Sequence, residues 1–205
     1  MSVNIFCVGR NYKAHAVELG NDVPKSPMIF TKPSHALVPM LGNEIELPKD
    51  KGSIHYEVEI VVRISNDYVP GMPINQAIDA MTLGIDFTLR DVQDQLKKKG
   101  HPWLAAKGFK QSAAIAKWMK WSDLYANFEH TPFALNINDK VVQQSDASYM
   151  IFSLETIIAH IEENYGLGAG DLIFTGTPEG VGEVKTGDVL KAYWNNTEIG
   201  SAVIR

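Results

Sequence analysis

Apolar and polar positions alternate along the chain in many short runs, and Gly or Pro interrupts nearly all of them. Alternation with a period of two is typical of strands with one buried face, and few stretches show the 3.6-residue period of a helix. The pattern therefore predicts a β-rich α+β fold. The predicted strands are Ile5–Val8, Glu44–Leu47, Tyr56–Ile64, Leu83–Thr88, Phe133–Ile137, Leu172–Thr175, Val189–Trp194 and Ser201–Ile204.

Two polar turns next to predicted strands indicate hairpins. Asn138-Asp139-Lys140 follows Phe133–Ile137, and Asn195-Asn196-Thr197 precedes the last predicted strand. Asn and Asp adopt the left-handed backbone conformations that short hairpin turns require. Each turn therefore predicts an antiparallel pair of strands that are neighbours along the chain.

Helical periodicity is clearest after Ser153, which is a suitable N-cap, and the pattern ends at Gly166. One face of this helix carries an apolar stripe that consists of Leu154, Ile157, Ile158 and Ile161. Weaker patterns predict helices at Ile74–Met81, Asp91–Lys99 and Asn11–Leu19.

With 205 residues, the chain is long enough to bury a core without a metal or a disulfide. We predict a single catalytic domain over residues 1–205, because neither a repeat nor a low-complexity segment divides it. Residues 1–50 are expected to form an N-terminal arm, in which the Pro-rich stretch from Pro24 to Pro48 meanders over the surface.

The charge balance excludes one class of ligand. The chain carries 19 Lys and Arg against 24 Asp and Glu, a formal net charge of −5. Nucleic-acid binding needs a basic face, and the one basic run is Lys97-Lys98-Lys99. No run of about 18 apolar residues is present and no signal peptide is recognisable, so neither nucleic acid nor a membrane is an expected partner.

The single cysteine, Cys7, lies in an apolar run. One cysteine forms neither an internal disulfide nor a thiolate metal site, which favours a reducing compartment, and we expect the cytoplasm. A buried, inert thiol is favoured over a nucleophile at this position.

The segment His55-Tyr56-Glu57-Val58-Glu59 contains the first candidate chemistry. In a strand, side chains alternate between faces, so Glu57 and Glu59 share one face, and the strongly apolar continuation favours a buried strand. Two buried carboxylates repel each other unless a cation lies between them. An exposed strand face is the alternative, and we assign it to Glu44-Ile45-Glu46, which has the same spacing without the apolar continuation.

A third carboxylate, Asp86, lies in the apolar segment Leu83–Thr88. A lone acid is costly to bury without a partner, although a turn-capping role is the alternative for Asp86. Glu57, Glu59 and Asp86 together predict an all-oxygen site, which suits Mg²⁺ or Mn²⁺ better than Zn²⁺.

Several segments together resemble the fumarylacetoacetate hydrolase family, and the likeness spans nearly the whole chain. They are 8–12 (VGRNY), 30–33 (FTKP), 55–59 (HYEVE), 86–93 (DFTLRDVQ), 103–109 (WLAAKGF) and 175–182 (TGTPEGVG). The closest match is the short branch that acts as acylpyruvase and oxaloacetate decarboxylase. The resemblance implies a mixed β-roll with short peripheral helices and a homodimer.

The resemblance also implies roles for individual residues. Glu57, Glu59 and Asp86 would bind Mg²⁺ or Mn²⁺, and Lys107 would be the catalytic lysine. The substrate would be bound by Arg90, Gln93 and Thr177. One departure is Gly108, where relatives often carry Ser, and this puts in doubt how Lys107 is held.

On a predicted lid helix over residues 11–19, the branch carries a His-x-x-Glu pair, which here is His15 and Glu18. Residues three apart share a helix face, so Glu18 would orient His15 as a general base. From the residues alone, His15 is equally compatible with an exposed helix position.

The function implied is metal-dependent hydrolysis or decarboxylation of small 2-oxo acids through a stabilised enolate, with acylpyruvate and oxaloacetate as substrates. Keto–enol tautomerisation of oxaloacetate shares the same intermediate and is an alternative. Two further alternatives are a hydratase or isomerase of aromatic-degradation intermediates and a metal-binding dimer without catalysis.

Overall fold

The computed structural model describes residues 3–14 and 24–205. Strands dominate this part of the chain, and the helices are few and mostly short. The strands are β1 (Ile5–Gly9), β2 (Met28–Lys32), β3 (Leu37–Pro39), β4 (Leu41–Ile45), β5 (Ile54–Tyr56), β6 (Val58–Ile64), β7 (Ile78–Asp86), β8 (Thr88–Leu89), β9 (Ala113–Ile115), β10 (Met119–Lys120), β11 (Phe133–Ile137), β12 (Lys140–Ser145), β13 (Leu172–Phe174), β14 (Gly182–Glu183), β15 (Val189–Trp194) and β16 (Thr197–Ile204). The α-helices are α1 (Ile74–Ala77), α2 (Arg90–Lys99), α3 (Leu104–Lys107) and α4 (Leu154–Tyr165).

These strands form three sheets. The largest has the order β2-β1-β13-β6-β7-β9-β3, with β10 paired to β7. A second sheet has the order β12-β11-β15-β16-β4, and a small third sheet has the order β14-β5-β8. Both parallel and antiparallel pairs occur in the first two sheets, so the β-rich, mixed architecture agrees with the prediction from the sequence.

The centre of the largest sheet is the antiparallel pair β6 and β7, in which nearly every residue is buried. Burial on both faces explains why these strands are continuously apolar rather than alternating. The register places Glu59 opposite Gly84, and the amide of Asp86 donates to the carbonyl of Glu57. The pairing therefore brings all three predicted metal-binding acids to one end of the two strands.

The predicted hairpins are both confirmed. Asn138 and Asp139 have φ values of 51° and 63° between β11 and β12, and Asn195 and Asn196 have 47° and 62° between β15 and β16. Two successive left-handed residues are the conformation of a type I′ hairpin turn. The turn chemistry alone was sufficient to predict these strand pairs.

The helix predictions were partly correct. In α4, the hydroxyl of Ser153 accepts from the amide of Thr156 at 3.3 Å, as an N-cap does, and the helix ends at Gly166. Helix α2 covers the predicted Asp91–Lys99. The prediction of a helix over Ile74–Met81 was wrong beyond Ala77, because the chain from Ile78 onwards joins β7 between β6 and β9.

The N-terminal region contains strands that the pattern did not predict. Most of the predicted helix Asn11–Leu19 lies outside the described residues, and Tyr12 forms an isolated bridge with Met150. The stretch expected to meander contributes β2, β3 and β4 to the two larger sheets. Among the helices that the structure describes, none has the length and apolar character needed for a membrane crossing.

Candidate metal centre and substrate cleft

Three buried carboxylates lie at the end of the central strands. Glu57 occupies the break between β5 and β6, Glu59 lies in β6, and Asp86 is the last residue of β7. One oxygen from each side chain lies within 4.8 Å of the others, and all three residues are at most 5% exposed. The break at Glu57 divides the strand predicted over Tyr56–Ile64, yet Glu57 still lies beside Glu59.

Three cationic side chains surround these acids. Lys107 Nζ bridges two of them, at 2.7 Å from Glu57 Oε2 and 2.6 Å from Asp86 Oδ2. Arg90 Nη2 lies 2.5 Å from Glu57 Oε1. Lys32 Nζ lies 2.7 Å from Asp86 Oδ1, at an angle outside that of a hydrogen bond. Glu57 and Asp86 therefore each have two cationic partners.

Glu59 is the exception among the three acids. Its Oε2 accepts a hydrogen bond of 2.8 Å from the amide of Gly176, and in the described part of the chain no cationic side chain lies within ion-pair distance of it. Burial, and then the charge of Asp86, raise the pKa of Glu59 well above its ordinary value. Glu59 therefore holds a proton more strongly than an exposed glutamate does.

Lys107 has the opposite electrostatic environment. Burial by itself lowers the pKa of Lys107, but the charges of Asp86 and Glu57 outweigh that effect and raise the pKa above its ordinary value. Lys107 therefore carries its positive charge throughout the physiological range, within 3 Å of both carboxylates.

The donor set fits a divalent cation. Three carboxylates offer hard oxygen ligands of the type that Mg²⁺ and Mn²⁺ prefer, and their oxygens are close enough together to contact one ion. Glu59 is the acid of the three without a cationic partner among the described residues, so a bound cation would compensate its charge once it is deprotonated. Glu57, Glu59 and Asp86 are thus the residues that would hold the ion.

The residues predicted to bind substrate line the same cleft. Arg90 Nη1 donates to Gln93 Oε1 at 2.6 Å, so one guanidinium joins Gln93 to Glu57. Thr177 Oγ1 donates to the carbonyl of Val58 at 2.8 Å. The cleft is lined by Val8, Gly9, Arg10, Met28, Phe30, Glu57, Glu59, Asp86, Arg90, Gln93, Lys97, Trp103, Lys107 and Thr177.

Lys32 is a member of this site that sequence reasoning did not assign. Its ammonium also donates to the carbonyls of Phe87, at 3.3 Å, and Lys107, and to Ser112 Oγ at 3.1 Å. The available signal was a lysine that ends the strand-like segment 28–32 (MIFTK), because a lysine that a strand buries is costly without an acidic partner. The partner itself, Asp86, could not be identified before the strands were paired.

Gln143 is a second residue that was missed. Its side chain accepts from the amide of Val58 at 2.9 Å and donates to Thr177 Oγ1 and the carbonyl of Pro178, both at 2.9 Å. These bonds tie the strand that carries Glu59 to the loop that carries Thr177. The sequence of β12, KVVQQS, gives no sign of this role.

Several neighbouring residues contact the backbone around Gly108. Besides the bond from Lys32, the carbonyl of Lys107 accepts from Ser112 Oγ at 2.8 Å. A Cβ at residue 108 would lie 2.5 Å from Leu104 Cδ1 and 2.9 Å from Pro33 Cδ. Lys32 and Ser112 thus bind the backbone carbonyl of Lys107. A side chain at position 108 would displace Leu104 and Pro33.

Two predicted catalytic residues, His15 and Glu18, lie outside the described residues. Their roles as general base and orienting acid therefore stay predictions. Four positions before His15, the side-chain amide of Asn11 donates to the carbonyls of Phe152 and Thr175, and its Oδ1 accepts from the backbone amide of Phe152.

Known proteins are similar to this chain in sequence and in fold. Oxaloacetate tautomerase YcgM of Escherichia coli (strain K12) is 34% identical over 98% of this chain and 92% of its own length. The mitochondrial oxaloacetate tautomerase oaa1 of Schizosaccharomyces pombe is 40% identical over 92% of this chain and 86% of its own. Fumarylpyruvate hydrolase from Pseudomonas aeruginosa, solved with Mn²⁺ and pyruvate, has a TM-score of 0.88 and 32% identity over 99% of this chain and 89% of its own.

The family model described as "Fumarylacetoacetate (FAA) hydrolase C-terminal" matches residues 4–204. The match includes every strand and every predicted site residue. The strand-rich architecture with a few short helices is also that of the solved relative. The chain belongs to the fumarylacetoacetate hydrolase family.

Proposed function

We propose that the protein is a divalent-metal-dependent enzyme that interconverts the keto and enol forms of oxaloacetate or a closely similar 2-oxo acid. The observation that carries the proposal is the buried group of Glu57, Glu59 and Asp86 with Lys107 against it. The names of the relatives from Escherichia coli and Schizosaccharomyces pombe favour oxaloacetate as the substrate.

The side chains of the cleft suit a 2-oxo acid. Enolisation moves a proton from the carbon next to the 2-oxo group to the 2-oxo oxygen, and negative charge develops on that oxygen. The ammonium of Lys107 would stabilise this charge in a site where little water competes. A divalent cation held by the three acids would supply Lewis-acid polarisation of the 2-oxo group.

The substrate carboxylate needs hydrogen-bond donors of its own in the cleft. Gln93 and Thr177 are both buried and line the cleft. The side-chain nitrogen of Gln93 would donate to the carboxylate, and the hydroxyl of Thr177 would do so by exchanging its bond to the carbonyl of Val58. Arg90 supports them, because its guanidinium binds Gln93 and Glu57 together. We therefore assign Arg90 to orienting Gln93 as well as to binding substrate.

A double substitution in the metal centre tests the proposal. The variant Glu57→Gln/Glu59→Gln keeps the shape of both side chains and removes their charges. We expect loss of oxaloacetate tautomerisation, followed by the ultraviolet absorbance of the enol, and loss of Mn²⁺ binding measured by calorimetry. The matched control is Glu44→Gln/Glu46→Gln, which has the same spacing on an exposed edge and should retain both.

Metal removal tests the same proposal without a substitution. Protein stripped with EDTA should lose turnover, and Mg²⁺ or Mn²⁺ should restore it. The proposal fails if the stripped wild-type protein, or the Glu57→Gln/Glu59→Gln variant, turns over oxaloacetate at the original rate. The relative activities with the two ions would establish which metal the enzyme prefers.

Hydrolysis or decarboxylation is a second candidate function, favoured by the likeness to fumarylpyruvate hydrolase and by the predicted pair His15 and Glu18. Hydrolysis adds water across a C–C bond, so it needs a base that activates water. Enolisation alone consumes no water and needs no such base. The variant His15→Ala should therefore slow acetylpyruvate cleavage much more than oxaloacetate tautomerisation. Equal losses would argue against His15 as the water-activating base.

We also propose that the protein is a homodimer that acts in the cytoplasm. Both proposals rest on sequence features, namely the family resemblance and the single buried Cys7. Light scattering coupled to size-exclusion chromatography would give the oligomeric state, and a monomeric mass at micromolar concentration would contradict the homodimer.

A further inference from the structure

Two cations at the mouth of the cleft have no part in the metal centre described above. Arg10 directly follows β1 and Lys97 lies in the last turn of α2, yet both line the cleft that contains the three acids. Lys97 opens the basic run Lys97-Lys98-Lys99. Lys98 and Lys99 are exposed and do not line the cleft, so the run divides into one inward-facing lysine and two solvated ones.

The backbone of Arg10 is held in an uncommon conformation. Its φ is 59°, in the left-handed region that non-glycine residues rarely adopt. The next residue, Asn11, is fully buried and bound to Phe152 and Thr175, so the surrounding structure enforces this conformation. Strain that the fold maintains next to a cleft is typical of functional positions.

Lys97 is partly withdrawn from water. Its ammonium lies 5.6 Å from the centroid of the Trp103 ring. Burial, and then the charge of Arg90, lower the pKa of Lys97, while Asp94 raises it and Arg10 lowers it. Throughout residues 3–14 and 24–205, neither Arg10 nor Lys97 has a carboxylate within ion-pair distance. Within these residues, the two positive charges at the mouth are therefore not held in a direct ion pair.

An aromatic wall connects the mouth to the metal centre. Lys107 Nζ lies 5.0 Å from the centroid of the Phe30 ring, and the Phe30 and Trp103 rings lie 5.8 Å apart. Trp103 in turn contacts Lys97. One wall of the cleft thus runs from the ammonium of Lys107 to that of Lys97, with two aromatic rings inclined at 59° to each other between them.

We propose that Arg10 and Lys97 bind a second carboxylate of the substrate, remote from the 2-oxo acid group, and so select 2-oxo dicarboxylic acids over monocarboxylic ones. The inner end of such a substrate would face Lys107, its carbon chain would lie along Phe30 and Trp103, and its outer carboxylate would meet the two cations. Charge-assisted hydrogen bonds are about twice as strong as neutral ones. A substrate with an outer carboxylate would therefore bind much more tightly than one without it. The inference rests on the proposed function and names the substrate class of that same site.

The test compares two substrates that differ only at the outer end: oxaloacetate and its C4 methyl ester. For Lys97→Gln and Arg10→Gln in the metal-loaded protein, we expect kcat/KM for oxaloacetate to fall about tenfold or more, mainly through KM. The value for the ester should change little. Inhibition by oxalate, which has no outer end, should also be unchanged, and this shows that the metal centre is intact.

Lys98→Gln and Lys99→Gln are the matched controls, because they remove the same charge from the same basic run outside the cleft. Both should keep the wild-type preference for oxaloacetate over the ester. The inference is overturned if Lys97→Gln and Arg10→Gln leave that preference unchanged, or if Lys98→Gln reduces it equally. A wild-type protein that is inactive with both substrates after metal loading would instead refute the proposed function, so the two failures are distinguishable.

Discussion

Lys32 and Asp86 form an ion pair of 2.7 Å in which neither side chain has any exposed surface. Lys191 and Asp139 form an ion pair of the same length on the surface, where the Asp139 side chain is 80% exposed. The two pairs have equal N–O distances and different surroundings. Because the distance is the same, a comparison of the two pairs shows how burial changes the contribution of an ion pair to stability.

Replacing Lys32 with Met should destabilise the fold strongly. Loss of one partner leaves Asp86 with a single cation in a buried site, and broken buried pairs typically cost about 3–5 kcal/mol. The control Lys191→Met should cause little or no change, because solvent screens the exposed pair. Urea unfolding would measure both, and equal stabilities of the two variants would contradict the prediction.

Gly176 is a position where the backbone must approach its neighbours closely. Its φ is 103°, and a Cβ there would lie 2.6 Å from Asn11 Cβ. Gly187 has a similar φ of 92°, and no atom of residues 3–14 or 24–205 lies within 4 Å of an added Cβ. We expect Gly176→Ala to be roughly 2 kcal/mol more destabilising than Gly187→Ala, because only the first adds a steric clash to the backbone strain.

The same glycine supplies a second readout. The amide of Gly176 donates to Glu59 Oε2, so displacement of this loop would also disturb the metal centre. Thermal unfolding with and without Mn²⁺ would measure this effect. Gly176→Ala should reduce the stabilisation by Mn²⁺, whereas Gly187→Ala should retain it. The opposite ranking would contradict the assigned packing.

Metal binding should release a proton from Glu59. Its pKa is raised by burial above the ordinary value of 4.5, and a carboxylate must be deprotonated to bind a metal. Affinity for Mn²⁺ should therefore increase with pH up to the raised pKa and level off above it. Calorimetry in buffers of different ionisation enthalpy would count the protons, and Glu59→Gln should abolish the release.

The same shift affects the stability of the metal-free protein. Because the pKa of Glu59 is higher in the folded than in the unfolded state, its contribution to stability is fully present below the unfolded pKa. That contribution is lost as pH rises through the folded pKa. In Glu59→Gln this loss should be absent, so the difference in unfolding free energy between variant and wild type should grow with pH. A difference independent of pH would contradict the prediction.

The thiol of Cys7 should be inert in the native protein. Cys7 is fully buried in β1, and burial, followed by the charge of Asp86, raises the pKa of the thiol well above its ordinary value. The reactive thiolate is therefore scarce and inaccessible. Iodoacetamide should alkylate Cys7 in urea but not under native conditions, as measured by intact-protein mass. Rapid native alkylation would show that β1 opens frequently.

Several features were determined by the sequence on its own, because their causes are local. Successive Asn or Asp residues specify both hairpin turns, and Ser153 with its apolar stripe specifies α4. The spacing of Glu57 and Glu59 places both carboxylates in one site without knowledge of any partner strand. In each case, residues close together in the sequence were enough to predict the feature.

Other features were decided only by the tertiary structure. Ile78–Met81 resembles a helix in pattern, but its pairing with β6 makes it a strand. Lys32 is buried against Asp86, 54 positions further along the chain, and only the pairing of the strands brings the two together. Lys97 faces the cleft while Lys98 faces solvent. The physical reason is that burial and charge partners depend on strands far apart in sequence, which no local pattern records.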